Sequence, residues 1–503
     1  MQGLLFSAGL LLLINIPLLI AYLNTDQDQV FAGLLLNPID GQSYLAKMRQ
    51  GFEGAWTFVL PYTAQPGDPA PINLYYILLG HLSRITNISI ISMFHIARLA
   101  GSFLLFQNIW MLSRKAFSTK RFQYVSLLLA SVGTGLGWIA LFWGALAPDF
   151  WLSEAFPFLA VQVNAHFPLG IALQIIILFS PGLESNSMCS IIRIALLGMA
   201  LALIYPFGFA LTGFVLAGQA LIILINRQEW RLERDRLLAF GILGGPILLS
   251  QWIIVRNHSV LSIWNTQNLT PLPNFAELLI AFLPVVVASS IYLLNKNNKY
   301  NKEETVLGLW IVAALVLALI PSNLQRRFLS GLYIPLAILG VRGLEVISRK
   351  KGRELIAIFS LLLISFPTSL VVSLSSINAI QSHDRILFLQ EDENAAISWL
   401  QQNAASSSLV AASPEIGLYL PARGNFRVIY GHPFESIDSD TNKLALEAFF
   451  SDSKDPWNFL EINEVNYVFY GPREREFGKL TLPQNWTVVY ETGEVQIFSR
   501  VGN

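Results

Sequence analysis

Long apolar stretches separated by short polar segments run through most of the chain. An α-helix needs about 20 mostly apolar residues to cross the hydrocarbon core of a membrane. By that criterion, about eleven stretches are candidates: residues 4–23, 88–112, 122–144, 167–180, 191–205, 207–225, 237–255, 278–294, 306–320, 329–347 and 355–374. The pattern predicts an α-helical polytopic membrane protein with a transmembrane region over residues 1–382.

Tyr205 and Pro206 interrupt one of these apolar runs. A proline there permits either a tight hairpin between two spans or a single kinked span. Lysine and arginine cluster in four loops, which all fall on one side of the membrane if the chain turns back at Tyr205: residues 114–121, 227–236, 296–302 and 349–353. Because positive charge marks the cytoplasmic side, we predict a hairpin, a cytoplasmic N-terminus and an extracytoplasmic C-terminal region.

The first outer loop, residues 24–87, contains an amphipathic stretch over residues 37–56. Its apolar side chains recur at helical spacing, at Tyr44, Leu45, Met48 and Phe52. Its polar ones fall largely on the opposite side, at Gln42, Lys47, Arg49 and Glu53. Between two spans such a helix is expected in the interface plane. It would hold Asp40, at its start, at the depth of the lipid headgroups, where a carboxylate meets lipid-borne substrates.

The character of the sequence changes near Asp384. The pattern predicts a helix over residues 391–403, another over 444–450, and five short strands, at 409–412, 427–430, 465–470, 487–490 and 495–499. The last two strands are separated by a turn sequence and predict a β-hairpin. Residues 383–503 are therefore expected to form a small α/β domain on the outer face of the membrane.

Composition agrees with a membrane protein. Of the 503 residues, 53% are hydrophobic and 13% are charged, and the formal net charge is zero. The mean hydropathy is +0.52, above the range usual for soluble domains. A balanced charge gives no reason to expect nucleic acid as a partner. The single cysteine, Cys189, excludes an internal disulfide framework.

The predicted architecture has a cytoplasmic N-terminus, a long first outer loop with an early acidic residue, many spans and an outer C-terminal domain. This architecture resembles the GT-C superfamily of membrane glycosyltransferases, which includes protein O-mannosyltransferases and the aminoarabinose transferase of lipid A. Asp40, in the sequence D-G-Q-S-Y-L-A, matches the first-loop acid of that family. The resemblance implies a hexosyl or pentosyl transferase of the cell envelope. Its partners would be a polyprenyl-phosphate sugar donor, membrane lipids, and a lipid, glycan or protein acceptor on the outer face.

Such a transfer needs a base for the acceptor proton and positive charge for the departing phosphate. Asp40 is the candidate base, although an aspartate just before a helix start also serves as an N-cap. Arg326 and Arg327, adjacent on the outer side, are the candidates for the phosphate. Arg256 and His258 are weaker candidates for substrate binding.

His166, at the outer mouth of a predicted span, is a further candidate. A histidine there can bind a metal, orient the acceptor or hydrogen-bond the phosphate. If the reaction depends on a metal such as Mg or Mn, carboxylates such as Asp40 and Glu154 would hold it together with substrate oxygens.

Two alternatives to an enzyme stay open. A transporter or flippase for a lipid-linked glycan also has many spans, but it usually carries ionisable residues at mid-membrane depth. Here Arg98 and Arg342 are the main examples. A degenerate GT-C scaffold is the other alternative, since Gly41 and Gln42 follow Asp40 where many family members carry a second acid. The C-terminal region is expected to cap the outer cavity or select the acceptor, with the G-H-P-F-E-S segment, residues 431–436, as a turn.

Overall fold

The computed structural model describes residues 2–24, 28–180, 183, 187–295, 299–348, 354–451 and 456–501. The helices are α1 Gln2–Ile14, α2 Ile16–Leu23, α3 Pro38–Phe52, α4 Leu74–Thr86, α5 Ile90–Ala116, α6 Lys120–Val132, α7 Gly137–Ala140, α8 Pro157–Val163, α9 His166–Phe179, α10 Met188–Ile204, α11 Pro206–Ile225, α12 Arg231–Asn257, α13 Ser259–Gln267, α14 Phe275–Leu293, α15 Lys302–Leu319, α16 Tyr333–Ser348, α17 Glu354–Ser365, α18 Pro367–Gln381, α19 Glu391–Asn403, α20 Pro414–Gly424, α21 Ser439–Phe450, α22 Pro456–Ile462 and α23 Pro472–Arg475. The strands are β1 Gln29–Phe31, β2 Phe388–Gln390, β3 Leu409–Ala411, β4 Arg427–Val428, β5 Tyr467–Tyr470, β6 Trp486–Thr492 and β7 Val495–Arg500.

Helices cover most of each predicted span, and the chain is a membrane protein. Among the described residues, six helices are long and apolar enough to cross a membrane, or eight if two bent helix pairs are each one span. The eleven sequence stretches exceed this count for two reasons. Helices α9 and α10 are shorter, with 14 and 17 residues, and α15 begins with the charged residues Lys302, Glu303 and Glu304.

The chain turns back at Tyr205, as the hairpin interpretation requires. A methyl group placed on Gly244 of α12 would lie 2.3 Å from the ring of Phe209 and 2.8 Å from the carbonyl oxygen of Gly198. In one continuous helix, residues 198 and 209 would be about 16 Å apart along the axis. Because both instead contact the same point of α12, α10 and α11 are separate helices with a reversal between them.

The contacts along the chain divide it into two compact units. The first, here called the helical unit, comprises Met1–Ile16, His95–Ser250 and Thr270–Ser376. The second, here called the loop unit, comprises Pro17–Phe94, Gln251–Leu269 and Ile377–Asn503. The first outer loop and the C-terminal region therefore belong to one unit.

Two sheets build the loop unit. Strand β1 of the first loop pairs antiparallel with β2, with Gln29 opposite Gln390 and Phe31 opposite Phe388. The other sheet has the strand order β4-β3-β5-β7-β6. Its first three strands are parallel, and β7 is antiparallel to both β5 and β6. This arrangement confirms the predicted C-terminal α/β structure and its β6–β7 hairpin.

Helix α3 is buried in the loop unit, where it packs against α4 and α20. A methyl group on Gly80 of α4 would lie 2.0 Å from the carbonyl oxygen of Met48, and one on Gly51 would lie 2.1 Å from that of Ile77. The two backbones are therefore in direct contact, which only glycine permits. Lys47, which the sequence pattern places on the polar side of this helix, is buried, with a side chain that is 4% exposed.

Candidate functional site

Asp40 lies in the first turn of α3, on the third helical residue. The N-cap is Asn37, in the left-handed conformation with φ 49°, and Pro38 follows at the first helical position, where proline is favoured. The interpretation of Asp40 as the N-cap is therefore wrong. The Asn37 side-chain amide donates instead to Asp40 Oδ2, at 2.6 Å, and the Asp40 side chain remains 35% exposed.

His432 of the C-terminal region faces the other carboxylate oxygen of Asp40. Its Nε2 lies 3.3 Å from Asp40 Oδ1, a close polar contact without the alignment of a hydrogen bond. Its Nδ1 accepts the backbone N–H groups of Phe434 and Glu435, both at 3.1 Å. In the neutral ring the proton is therefore on Nε2, toward the carboxylate.

A buried ion pair lies beside this contact. Lys47 Nζ donates to Glu435 Oε1 at 2.5 Å and to Ser43 Oγ at 3.2 Å, and the side chains of Lys47 and Glu435 are 4% and 10% exposed. Burial, and then the negative charge of Glu435, raise the pKa of Tyr62 well above its ordinary value, so that hydroxyl stays protonated.

Sequence reasoning missed the contribution of His432 and Glu435. The segment 431–436 does form a turn, as predicted, because Ser436 Oγ accepts the backbone N–H groups of Gly431 and His432 at 3.3 and 3.2 Å. The local sequence explains that turn completely and gives no sign of its partner. The only sequence feature that could have indicated them is a histidine and a glutamate three residues apart, between apolar segments.

The two candidate arginines lie in the helical unit, in the 3-10 turn Gln325–Leu329. Glu154 Oε1 lies 3.0 Å from Arg327 Nη1 and 3.5 Å from Arg326 Nε. The Glu154 carboxylate is 3% exposed, whereas the side chains of Arg326 and Arg327 are 28% and 19% exposed. One carboxylate held by two guanidinium groups leaves a net positive charge, and the exposed edges can receive an anion.

Aromatic rings surround this pair. The guanidinium of Arg326 lies over Trp151 at 5.4 Å, and that of Arg327 lies over Phe167 at 5.9 Å. The ring of His166 contacts the same Phe167, with centroids 4.5 Å apart. His166 is therefore close to Arg327 through a shared aromatic neighbour.

Gln174 is a further polar residue of the helical unit that sequence reasoning missed. Its side-chain carbonyl accepts the hydroxyl of Ser330 at 2.6 Å. Its amide nitrogen is buried and has no hydrogen-bond partner in the part of the chain that the structure describes. Leaving such a donor unpaired inside the protein costs about 1–3 kcal/mol.

Arg256 and His258 lie in the loop unit. His258 caps α13, where its Nδ1 accepts the backbone N–H groups of Val260 and Leu261, each at 3.1 Å. Its Nε2 lies 2.6 Å from the carbonyl oxygen of Asp68 and donates to it. Both ring nitrogens thus serve the local structure. Arg256 is exposed, and its guanidinium lies 5.0 Å from the centre of the Trp252 ring.

The carboxylates proposed for a metal have other contacts. Asp40 contacts Asn37 and His432, and Glu154 holds the two arginines. Within the described residues, no three His, Cys, Asp or Glu side chains come together in a way that could hold a metal ion. No step proposed for this protein depends on a metal.

No protein-family model and no curated protein sequence matches the chain. Solved structures do match it. ArnT from Cupriavidus metallidurans, bound to undecaprenyl phosphate, is similar over 99% of this chain and 98% of its own, with 10% identity and a TM-score of 0.54. The Archaeoglobus fulgidus oligosaccharyltransferase is similar over 95% and 71%, with 13% identity and a TM-score of 0.55.

The mycobacterial arabinofuranosyltransferase AftD is similar over all of this chain and 40% of its own, with 15% identity and a TM-score of 0.50. At such low identity these likenesses define the fold and nothing finer. The chain therefore has the fold of ArnT and of the oligosaccharyltransferase, which confirms the fold that the resemblance implies.

Proposed function

We propose that the protein is a membrane glycosyltransferase that moves a sugar from a polyprenyl-phosphate donor to a hydroxyl-bearing lipid, glycan or protein acceptor. The observation that carries this proposal is the partly exposed arginine pair held by the buried Glu154. A guanidinium group has five N–H donors whose geometry matches carboxylate and phosphate oxygens, so an arginine held by a carboxylate can also bind a phosphate. The similar ArnT structure was solved with undecaprenyl phosphate bound, which supports a lipid phosphate as that anion.

In the proposed reaction, Asp40 takes the proton of the acceptor hydroxyl as the oxygen attacks the anomeric carbon of the sugar. The bond between that carbon and the phosphate oxygen breaks, and the polyprenyl phosphate leaves with the bonding electrons. Arg326 and Arg327 stabilise the negative charge that develops on it. The transferred sugar is a hexosyl or pentosyl group.

Arg98 and Arg342, the main arginines within predicted spans, are both paired inside the protein. Arg98 is buried, and its guanidinium donates to the carbonyl oxygen of Val161 at 2.6 Å and to the side chain of Asn15 at 2.7 Å. Arg342 is paired with Glu304 at 2.9 Å and with Glu345 at 2.7 Å. Both arginines have partners within the helical unit, as is usual for charged side chains inside membrane spans.

Undecaprenyl phosphate is the probe for the arginine pair. In detergent or nanodiscs, Arg326→Gln and Arg327→Gln should each weaken its binding about tenfold to a hundredfold, because a hydrogen bond to a charged group contributes roughly 1.5–3 kcal/mol. Native mass spectrometry or a lipid-dependent thermal shift measures the affinity. The matched control is Arg121→Gln, which removes an exposed arginine paired with Glu354. Equal affinity in all three variants would contradict the phosphate role.

Orientation is the second testable part of the proposal. We place the N-terminus in the cytoplasm and the C-terminal region outside. The reversal at Tyr205 supports this, because it keeps the basic loops on one side; Lys296 and residues 349–353 of those loops lie outside the described residues. Reporter fusions after Leu294 and Ile347 should be cytoplasmic, and one after Asn503 should be external. A cytoplasmic reporter after Asn503 would overturn the outer-face reaction.

A further inference from the structure

The turn 431–436 brings one histidine against the carboxylate of Asp40. We propose that His432, supplied by the C-terminal region, is the positioning residue for Asp40 in the transfer reaction. This inference rests on the proposed function, in which Asp40 is the base. It assigns to the C-terminal region a part in the reaction itself, in contrast to the capping or selecting role that the sequence predicts.

The orientation of the His432 ring is fixed on several sides. Its Nδ1 accepts two backbone N–H groups of its own turn. The turn is tied to α13 by Gln267, whose side-chain amide donates to the carbonyl oxygen of Ser436 at 2.6 Å. The ring of Tyr62 packs on His432 with centroids 5.6 Å apart. With these contacts in place, Nε2 stays 3.3 Å from Asp40 Oδ1.

Both carboxylate oxygens of Asp40 therefore have a neighbouring polar group. The Asn37 amide donates to Oδ2 at 2.6 Å, and Nε2 of His432 lies 3.3 Å from Oδ1. The carboxylate remains 35% exposed, while the histidine side chain is only 2% exposed. An acceptor hydroxyl can therefore reach Asp40 but not His432, so the histidine acts through the aspartate and is not itself a catalytic residue.

The contact between His432 and Asp40 is not an aligned hydrogen bond, and it can tighten when the acceptor binds. Nε2 is buried and has no aligned hydrogen-bond partner within the described residues, a costly state for a donor. Catalytic hydrogen bonds are often long in the unliganded protein and tighten when substrate binds. A small shift of the Asp40 carboxylate toward Nε2 would satisfy the donor and fix the carboxylate rotamer as the acceptor arrives.

The Lys47–Glu435 pair holds the turn at the right distance from α3. Glu435 follows His432 by three residues, and Lys47 follows Asp40 by seven, two helical turns along the same face. Their bond at 2.5 Å therefore ties the turn to α3 beside the Asp40–His432 contact. Moving Asp40 relative to His432 requires the disruption of a buried ion pair.

Two substitutions separate positioning from a merely structural role. In His432→Asn the side-chain oxygen can replace Nδ1 and cap the turn, but nothing reaches Asp40. In His432→Gln the longer amide can replace Nε2 and reach Asp40, while the cap is lost. Positioning predicts that Asn lowers kcat about tenfold or more with KM nearly unchanged, and that Gln restores part of kcat. A structural role predicts the reverse order, with Asn near normal and Gln impaired.

The assay uses the full-length protein in nanodiscs. It measures release of polyprenyl phosphate from a panel of undecaprenyl-phosphate hexoses and pentoses, with an extract of membrane lipids and glycans as acceptor. Undecaprenyl phosphate binding should be unchanged in both variants. Equal kcat for His432→Asn and the unaltered protein would overturn this inference alone. No turnover of any donor by the unaltered protein, together with no undecaprenyl phosphate binding, would overturn the proposed function and this inference with it.

Discussion

Replacing Asp40 with asparagine is expected to lower the transfer rate by about a hundred- to ten-thousand-fold, the usual loss when a general base is removed. Asparagine keeps the size of the side chain and an oxygen that can accept from the Asn37 amide, but it cannot take a proton. The measurement is kcat for polyprenyl phosphate release in nanodiscs. Undecaprenyl phosphate binding should be retained, because the arginine pair is intact.

The stability of Asp40→Asn should change little. An acid in the first turn of a helix contributes about 0.3–1 kcal/mol through the helix dipole, and the Asn37–Pro38 start of α3 is unaffected. Asp68→Asn is the matched control, since Asp68 lies exposed in the same loop and interacts with His258 through its backbone oxygen. Near-normal transfer by Asp40→Asn would show that the base lies elsewhere.

Replacing Glu435 with leucine is expected to destabilise the loop unit by about 3–5 kcal/mol, because it leaves the buried charge of Lys47 without its partner. The measurement is unfolding of the purified protein, followed by thermal denaturation and by limited proteolysis of the C-terminal region. Transfer activity should fall as well, since the turn that carries His432 loses its tie to α3.

The double variant Lys47→Met/Glu435→Leu should recover most of this stability, because apolar side chains of similar size can replace a buried ion pair. Glu447→Leu is the matched control on the neighbouring α21. Its carboxylate is 3.9 Å from Lys443, and both side chains are substantially exposed, so the pair contributes less than about 1 kcal/mol. If Glu435→Leu were as stable as Glu447→Leu, the Lys47–Glu435 pair would not be the tie proposed here.

Local structure could be predicted from the sequence wherever neighbouring residues determine it. Helix α19 has the predicted bounds, Glu391–Asn403, because three acidic residues in its first turn favour the helix start and its apolar positions keep one face. The β6–β7 hairpin was equally accessible, since a short turn joins two apolar segments. Both features depend on contacts close in sequence.

The environment of α3 could not be predicted in the same way. A lysine on the polar side of an amphipathic pattern ordinarily faces water. Lys47 is instead buried against Glu435, which lies 388 residues away in the sequence. Periodicity gives the face of a helix and not the segment that covers it. For the same reason Asp40 and the arginine pair were identifiable as candidates, whereas the contacts of Asp40 with His432 and of Glu154 with the arginines were not.

The pairing of β1 with β2 sets the order in which the loop unit can be made. Gln29–Phe31 is synthesised before most of the spans, and its partner Phe388–Gln390 only after all of them. Contacts so distant in sequence form slowly. Asp40 and Lys47 therefore cannot contact His432 and Glu435 until the segment that follows the last span has been made. The newly made protein becomes competent for the proposed reaction only after that segment has folded onto the first outer loop.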